Sequence, residues 1–292
     1  MNVLVSGAGG FIGSKLSEKL ISDGHDVHGI IHESPPKVDG IQVINADLTS
    51  DDFEIPDVKF DIVFHLAAAT PLIKDKKKQR RINYDGTVNL FNKIKMKTDL
   101  IIYASGLGVF GNPNGIIDEQ SPMKPDTDFV KIRLEAQKFL ENSCKENNIG
   151  FSVCYFGDIY GNASWFTEMV VKRLKNNTFK IPGKGDYEKC FIHVDDAVGI
   201  LSSIGERKIK NESFVCSSSE RVTFKEFVNY TADKLQVKHP GSIPTFLAKG
   251  ILGGDLTKLL TTSINISNEK VSKIHNFVYP SYKEGINSIL QS

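Results

Sequence analysis

The sequence predicts an α/β protein built on a doubly wound parallel sheet, with a smaller C-terminal lobe. Two observations carry this. Short apolar runs alternate with amphipathic helical stretches through the first half of the chain, the pattern that buries a parallel sheet under helices on both faces. The chain also opens with a strand, a glycine-spaced turn and a helix in immediate succession: Val3, Leu4 and Val5, then Gly7, Gly10 and Gly13, then Leu16, Leu20 and Ile21 on one helical face.

The opening has the form of a Rossmann-type dinucleotide-binding turn. Gly7 permits the tight turn, Gly10 lets backbone approach a pyrophosphate, and Gly13 lets the helix pack closely on the strand. The unpaired N–H groups at the helix start then face the phosphates. Further elements follow in order. Asp26–His32 reads as the second strand, ended by Pro35-Pro36; Gln42–Asp47 as the third; Phe60–Ala68 as the fourth, with small residues at its end. Arg81–Lys95 reads as a helix on Ile82, Val88, Leu90, Phe91 and Ile94; Leu100–Ser105 as the fifth strand; Phe129–Asn142 as a helix; Gly150–Phe156 as the sixth strand. After Gly161 the alternation loosens. Trp165–Leu174 is an apolar helix, Cys190–His193 and Ser213–Cys216 are short strands, and Thr223-Phe-Lys-Glu226 is a capping box for a helix running to Leu235. Pro240–Thr262 is rich in Gly and Leu. These elements are too few for a second doubly wound sheet and suit a lobe that closes over the first.

The chain has 292 residues, enough for one large domain or two small ones, with 36 basic and 35 acidic side chains and a formal net charge of +1. That balance gives no general footprint for nucleic acid or a membrane surface. No apolar run approaches the roughly 18 residues of a transmembrane helix, and a strand at the N-terminus with no basic segment does not read as a signal peptide. Cys144, Cys154, Cys190 and Cys216 lie far apart without metal-ligand spacing, as expected of buried thiols in a cytoplasmic protein. Lys74–Arg81 is the one dense basic run, placed in the loop after the fourth strand; it reads as a solvated patch, or in the sharper reading as a site for a phosphate-bearing ligand or acidic partner.

With these pieces assembled, the chain resembles the extended short-chain dehydrogenase/reductases, in the NAD-dependent epimerase/dehydratase group. The resemblance rests on Ser6-Gly-Ala-Gly-Gly-Phe-Ile-Gly13, Asp47-Leu48, His65-Leu-Ala-Ala68, Asn83-Tyr-Asp-Gly-Thr87, Val109-Phe-Gly111, Tyr160-Gly161, Ile192-His-Val-Asp-Asp196, Pro280 and Gly285. It implies a Rossmann-type NAD(P)-binding domain over 1–161, completed by segments near 190–235, and a substrate-binding lobe over 162–292. It implies cofactor contacts at Gly7, Gly10, Phe11, Ile12, Gly13, His32, Asp47, Leu48, Leu66, Ala67, Ala68 and Arg133. It also implies a small-molecule substrate, a nucleotide sugar or small carbonyl compound. No nucleic acid and no membrane are expected as partners, and a homodimer is compatible with the sequence.

The family's chemistry uses a Tyr and a Lys four residues apart on one helix, with a Ser or Thr. Here the Tyr position is Phe129, the Lys position is Arg133, and the hydroxyl position is Gly106, beside Ser105. Phe has no proton to exchange, and Arg stays charged with a different shape. Tyr84, Tyr103, Tyr155 and Tyr160 border the expected cleft, but packing with a satisfied hydroxyl is the favoured reading for each. Lys131 points to another helical face, and His65 and His193 read as structural. At the end of the second strand, where NAD-specific chains carry an acidic residue, Ile31 precedes His32. His32 suits a 2′-phosphate, so NADP(H) is read ahead of NAD(H); Glu33 is the counter-indication. Three functions follow: an NAD(P)-dependent oxidoreductase with an atypical site, a non-catalytic NAD(P)-binding sensor or assembly subunit, and nucleic-acid binding on the same scaffold, which the charge balance places a distant third.

Overall fold

The computed structural model describes residues 1–35, 38–112 and 115–291. Pro36, read above with Pro35 as a strand end, lies outside them. In chain order the first half contains β1 (Asn2–Ser6), α1 (Phe11–Ser22), β2 (Asp26–Ile31), β3 (Gln42–Asn45), β4 (Ile62–His65), α2 (Lys76–Arg80), α3 (Gly86–Ile94), β5 (Leu100–Gly106), α4 (Asp128–Glu146) and β6 (Gly150–Phe156). The second half adds β7 (Asp158–Tyr160), α5 (Lys172–Lys175), β8 (Ile181–Pro182), β9 (Glu188–Lys189), β10 (Phe191–His193), α6 (Val194–Glu206), β11 (Ser213–Cys216), β12 (Val222–Thr223), α7 (Phe224–Lys234), β13 (Ser242–Ile243), α8 (Thr245–Leu252), α9 (Gly254–Thr261) and α10 (Tyr282–Gln291).

Seven strands form one sheet in the order β11-β6-β5-β4-β1-β2-β3, every neighbouring pair parallel. From β1 the chain builds outward to β2 and β3, then returns to add β4, β5 and β6 on the other side. The order therefore reverses between β1 and β4, and the crevice beyond their carboxyl ends is where an open α/β sheet binds its ligand. One core packs the sheet with α3 and α4, through Leu90, Phe91, Leu134 and Leu140. The other packs it with α1 and α6, through Leu16, Leu20, Val198 and Leu201. A third core holds the lobe around aromatic rings, with Phe191 and Phe227 stacked at 3.9 Å between centroids. The lobe returns to the sheet at two points. Asp196 at the start of α6, fully buried, accepts the N–H groups of Val278 and Tyr279 and the His275 ring. Gly285 of α10 lies so close to the Tyr160 hydroxyl that a Cβ there would overlap it.

Several boundaries differ from the expectations. The fourth strand stops at His65 rather than Ala68, because the backbone N–H groups of Leu66, Ala67 and Ala69 bond to side chains and leave the ladder. The third strand stops at Asn45, before the Asp47 turn in which the carboxylate accepts the Thr49 N–H. The basic run is not a loop. Asp75 caps it by accepting the N–H groups of Lys77 and Lys78, so α2 starts there and a π-helical turn, Arg81–Asp85, leads into α3. The helix placed at Trp165–Leu174 is likewise a π-helical stretch, Phe166–Val171, continued by α5. The Gly- and Leu-rich segment folds as β13, α8 and α9.

Candidate active site

The glycine turn is built by backbone meeting backbone. Gly7 has a φ of 73°, and its N–H donates to the Ile30 carbonyl. A Cβ on Gly13 would overlap the Gly7 carbonyl, and one on Gly9 would overlap the Ser34 carbonyl. Gly10 differs: it is extended, caps α1, and a Cβ there would sit 3.1 Å from the Gly7 oxygen with nothing else within 4 Å. No side chain among the described residues caps α1, so its first-turn N–H groups are left without a side-chain acceptor there. An uncapped helix start beside a glycine with open space in front of it fits a pyrophosphate.

The opposite wall of the crevice is held by a buried hydrogen-bonded chain. Ser6 Oγ accepts the N–H groups of Leu66 and Ala67 at 3.1 and 3.2 Å. With both lone pairs occupied, its hydroxyl donates to His65 Nδ1 at 2.7 Å. His65 Nε2–H then donates to Thr87 Oγ1 at 2.8 Å, which in turn donates to the Asn83 carbonyl. Asn83 Oδ1 accepts the Ala69 N–H at 2.8 Å. His65 is thus a neutral ring in one tautomer, and it aligns the Leu66–Ala69 backbone against the glycine turn. Burial, reinforced by the Arg133 cation, pushes its imidazole down to about 3.

A ring held neutral makes stability depend on pH. Below the ordinary imidazole value of about 6.5 the unfolded chain takes a proton that the folded ring refuses, so stability falls as pH falls. His65→Gln is expected to be less stable than the natural protein at neutral pH. Between about pH 6.5 and 5 that difference should narrow by about 1.5 kcal/mol, since one proton bound only by the unfolded chain costs about 1.4 kcal/mol per pH unit. Urea denaturation across the range checks it; a constant difference would contradict the neutral-ring assignment.

Farther along the crevice, Ser105, Gly106, Phe129 and Arg133 line one cavity of about 230 Å³, together with Asp158, Lys189 and Cys190. β5 supplies the serine and glycine, and α4 the phenylalanine and arginine. Thr127 starts α4 by accepting the Val130 N–H, which puts residues 129 and 133 one turn apart, facing the end of β5. The Arg133 guanidinium donates to the Ala104 carbonyl and lies 4.8 Å from the centre of the Tyr103 ring. The Ser105 Oγ is buried and has no hydrogen-bond partner among the described residues. Lys189, 4% exposed, holds Asp158 at 3.1 Å and donates to the Leu259 carbonyl at 3.0 Å. The Cys190 thiol donates to the Ile264 carbonyl, and burial pushes it up to about 12, so it stays protonated. Asp255 of α9 accepts the Phe129 N–H at 3.0 Å and ties α9 to the start of α4.

None of the four tyrosines lines this cavity. Tyr155 accepts a bond from Gln137, Tyr160 donates to the Tyr282 carbonyl, and Tyr84 lies under Arg80. Tyr103 is fully buried beneath Arg133, its hydroxyl without a partner among the described residues and its pKa raised by desolvation. His193 caps α6 by accepting the Asp195 N–H. At the other end of the crevice His32 is exposed, its Nε2 3.8 Å from Asp47 Oδ2. The Asp47 carboxyl is held below its usual range chiefly by the Thr49 N–H, with His32 and Arg81 contributing charge. Leu48 reaches the helix instead: its carbonyl accepts the Asn89 side chain. Sequence reasoning missed Lys189 and Asp158, which line the cavity, and Asp255, which accepts the Phe129 N–H beside it. A lysine directly before the apolar strand Cys190–His193 was the one available signal.

Residues 3–216 match the NAD dependent epimerase/dehydratase family. The chain belongs to that family. Membership makes the dinucleotide a nicotinamide one. A 3-diazoavenalumate denitrifying reductase from a Streptomyces species is 24% identical over 98% of this chain and 99% of its own. Two solved structures share the fold. UDP-glucuronic acid 4-epimerase from Bacillus cereus, with NAD, is 20% identical at a TM-score of 0.83, covering 100% of this chain and 96% of its own. Human epimerase family protein SDR39U1, with NADPH, is 18% identical at 0.82, covering all of both chains.

Proposed function

We propose that this family member is an NAD(P)H-dependent reductase of small substrates, working without a phenol acid at position 129. The observation that carries the reading is the cavity in which Ser105, Phe129 and Arg133 meet at the end of the dinucleotide crevice. Its volume of about 230 Å³, below the roughly 300–1,000 Å³ of common ligand pockets, suits a nicotinamide ring with a compact acceptor beside it. The reduced dinucleotide, when bound, supplies a hydride. Arg133, fixed to β5, presents its remaining N–H groups for a ribose or substrate oxygen. The Ser105 hydroxyl, beside the cavity, is buried and unpartnered among the described residues, so it orients a substrate only if its side chain turns outward. Phe129 offers no proton, so the reductions best served are those in which the carbon that takes the hydride sheds a leaving group with its bonding pair. The full-length resemblance to a denitrifying reductase supports this: removing nitrogen from carbon expels a group rather than protonating an oxygen.

Oxidation of NADPH and NADH against nucleotide sugars, small carbonyls and aryl diazonium compounds tests the reading. Acceptors with their own leaving group should turn over at least about tenfold faster than carbonyls. Phe129→Tyr should raise carbonyl reduction by about 10²-fold, the usual share of a general acid. Fast carbonyl or sugar-nucleotide turnover by the natural protein would contradict it. Tight cofactor binding with no turnover would favour the non-catalytic sensor.

The preference for NADP(H) rests on His32 at the end of β2, with Arg81 acting on the same corner. His32→Arg should shift the ratio of dissociation constants toward NADPH by about tenfold, and His32→Glu toward NADH by a similar factor, each about 1.4 kcal/mol. Calorimetry reads both. An unchanged ratio would move the specificity to Glu33.

A further inference from the structure

We propose that α8 and the neighbouring basic run form a docking surface for an anionic lipid bilayer, beside the mouth of the cavity. Helix α8 is almost unanchored: of its eight residues only Ala248 is buried. Phe246, Leu247 and Ile251 stand 72%, 48% and 65% exposed, and Leu72 adds a fourth large apolar side chain at 52%. Lys74 joins the two segments by donating to the Ile251 carbonyl at 3.0 Å. The residues from 70 to 81 and from 244 to 261 carry eight basic and two acidic side chains, in a chain whose net charge is only +1. The overall balance conceals this local excess.

Some of these cations are committed: Lys76 pairs with Asp128, Arg80 with Glu135 and Lys258 with Asp126. Lys77, Lys78 and Lys249 have no carboxylate partner among the described residues and are exposed. The apolar side chains stand out from a short helix that carries Lys249 and is tied through Lys74 to the segment carrying Lys77 and Lys78. That arrangement suits shallow insertion into a headgroup layer, with the lysines meeting lipid phosphates. Among the described residues no helix is long and apolar enough to cross a membrane. The surface adjoins the cavity directly, since Asp128 and Asp255 connect it to the start of α4. The inference stands on this surface and does not depend on the proposed reductase activity.

Sedimentation of the full chain with vesicles of phosphatidylcholine, and of phosphatidylcholine mixed with phosphatidylglycerol, tests it. Binding to the anionic vesicles should exceed binding to the neutral ones by at least about tenfold and weaken with salt. Phe246→Ser with Ile251→Ser, and separately Lys77→Glu with Lys78→Glu, should each reduce it about tenfold. These positions are exposed, and unchanged thermal melting of the variants keeps the comparison clean. Absent or equal binding to the two vesicles, or binding that both variants leave intact, would overturn the proposal. So would a concentration-dependent dimer dispersed by the Phe246 and Ile251 changes, which would assign the face to a second copy of the chain.

Discussion

Gly10→Val is expected to abolish binding of NADPH and NADH while leaving the fold close to its natural stability. Gly10 is extended at a φ of −80° and ψ of 175°, a conformation any residue adopts, and only the Gly7 oxygen, at 3.1 Å, meets a Cβ there. The added side chain therefore occupies the space in front of the uncapped start of α1, where phosphate oxygens must come. Affinity should fall by more than about 100-fold, near 2.8 kcal/mol. Gly13→Ala makes the contrast. Its methyl would overlap the Gly7 carbonyl, so the helix must move off the turn, at about 1–3 kcal/mol of stability. Calorimetric titration and thermal denaturation of the two variants separate the effects. Undiminished binding by Gly10→Val would mean the dinucleotide does not cross this turn.

Arg133→Met should cause the second large loss. The guanidinium is a half-buried cation with one carbonyl acceptor and no carboxylate partner among the described residues. A hydrogen bond from such a group is worth about 1.5–3 kcal/mol, so affinity or turnover should fall by about 10- to 150-fold. Met keeps the contact with the Tyr103 ring and loses the charge. Arg133→Lys should recover only part, because a lysine cannot reach the Ala104 carbonyl and a ligand oxygen with one rigid fork. If Met and Arg behave alike in cofactor affinity and in turnover, the cation serves only to pack β5.

The strands of the main sheet were legible because a buried parallel strand is a short apolar run, and α1 because its apolar face follows a glycine turn. The end of β4 was not. Whether Leu66 and Ala67 continue a ladder depends on Ser6, about sixty residues earlier, and on Asn83, neither of which shows in a local pattern. Helix α2 was hidden because its residues are basic without an apolar period, and a single Asp75 cap starts it. Helix α8 was hidden for the opposite reason: its apolar residues face outward, so burial logic does not place them. In the candidate site, Ser105, Phe129 and Arg133 could be found by counting along motifs. The network that keeps His65 neutral joins β1, β4 and the residues from 83 to 87, and the Lys189–Asp158 pair joins two short strands distant in sequence, so neither shows in a local pattern.

On the proposed reading, the glycine turn, the His65-braced wall and the cavity beneath α9 form one continuous site. A crystal structure of the full chain with NADPH tests it most directly. Pyrophosphate is expected on the N–H groups at the start of α1, and the nicotinamide ring inside the cavity, in van der Waals contact with Phe129 and within hydrogen-bonding range of Arg133 or Ser105 through its ribose or amide. A nicotinamide ring lying outside that cavity would contradict it, as would a glycine turn left empty at saturating cofactor.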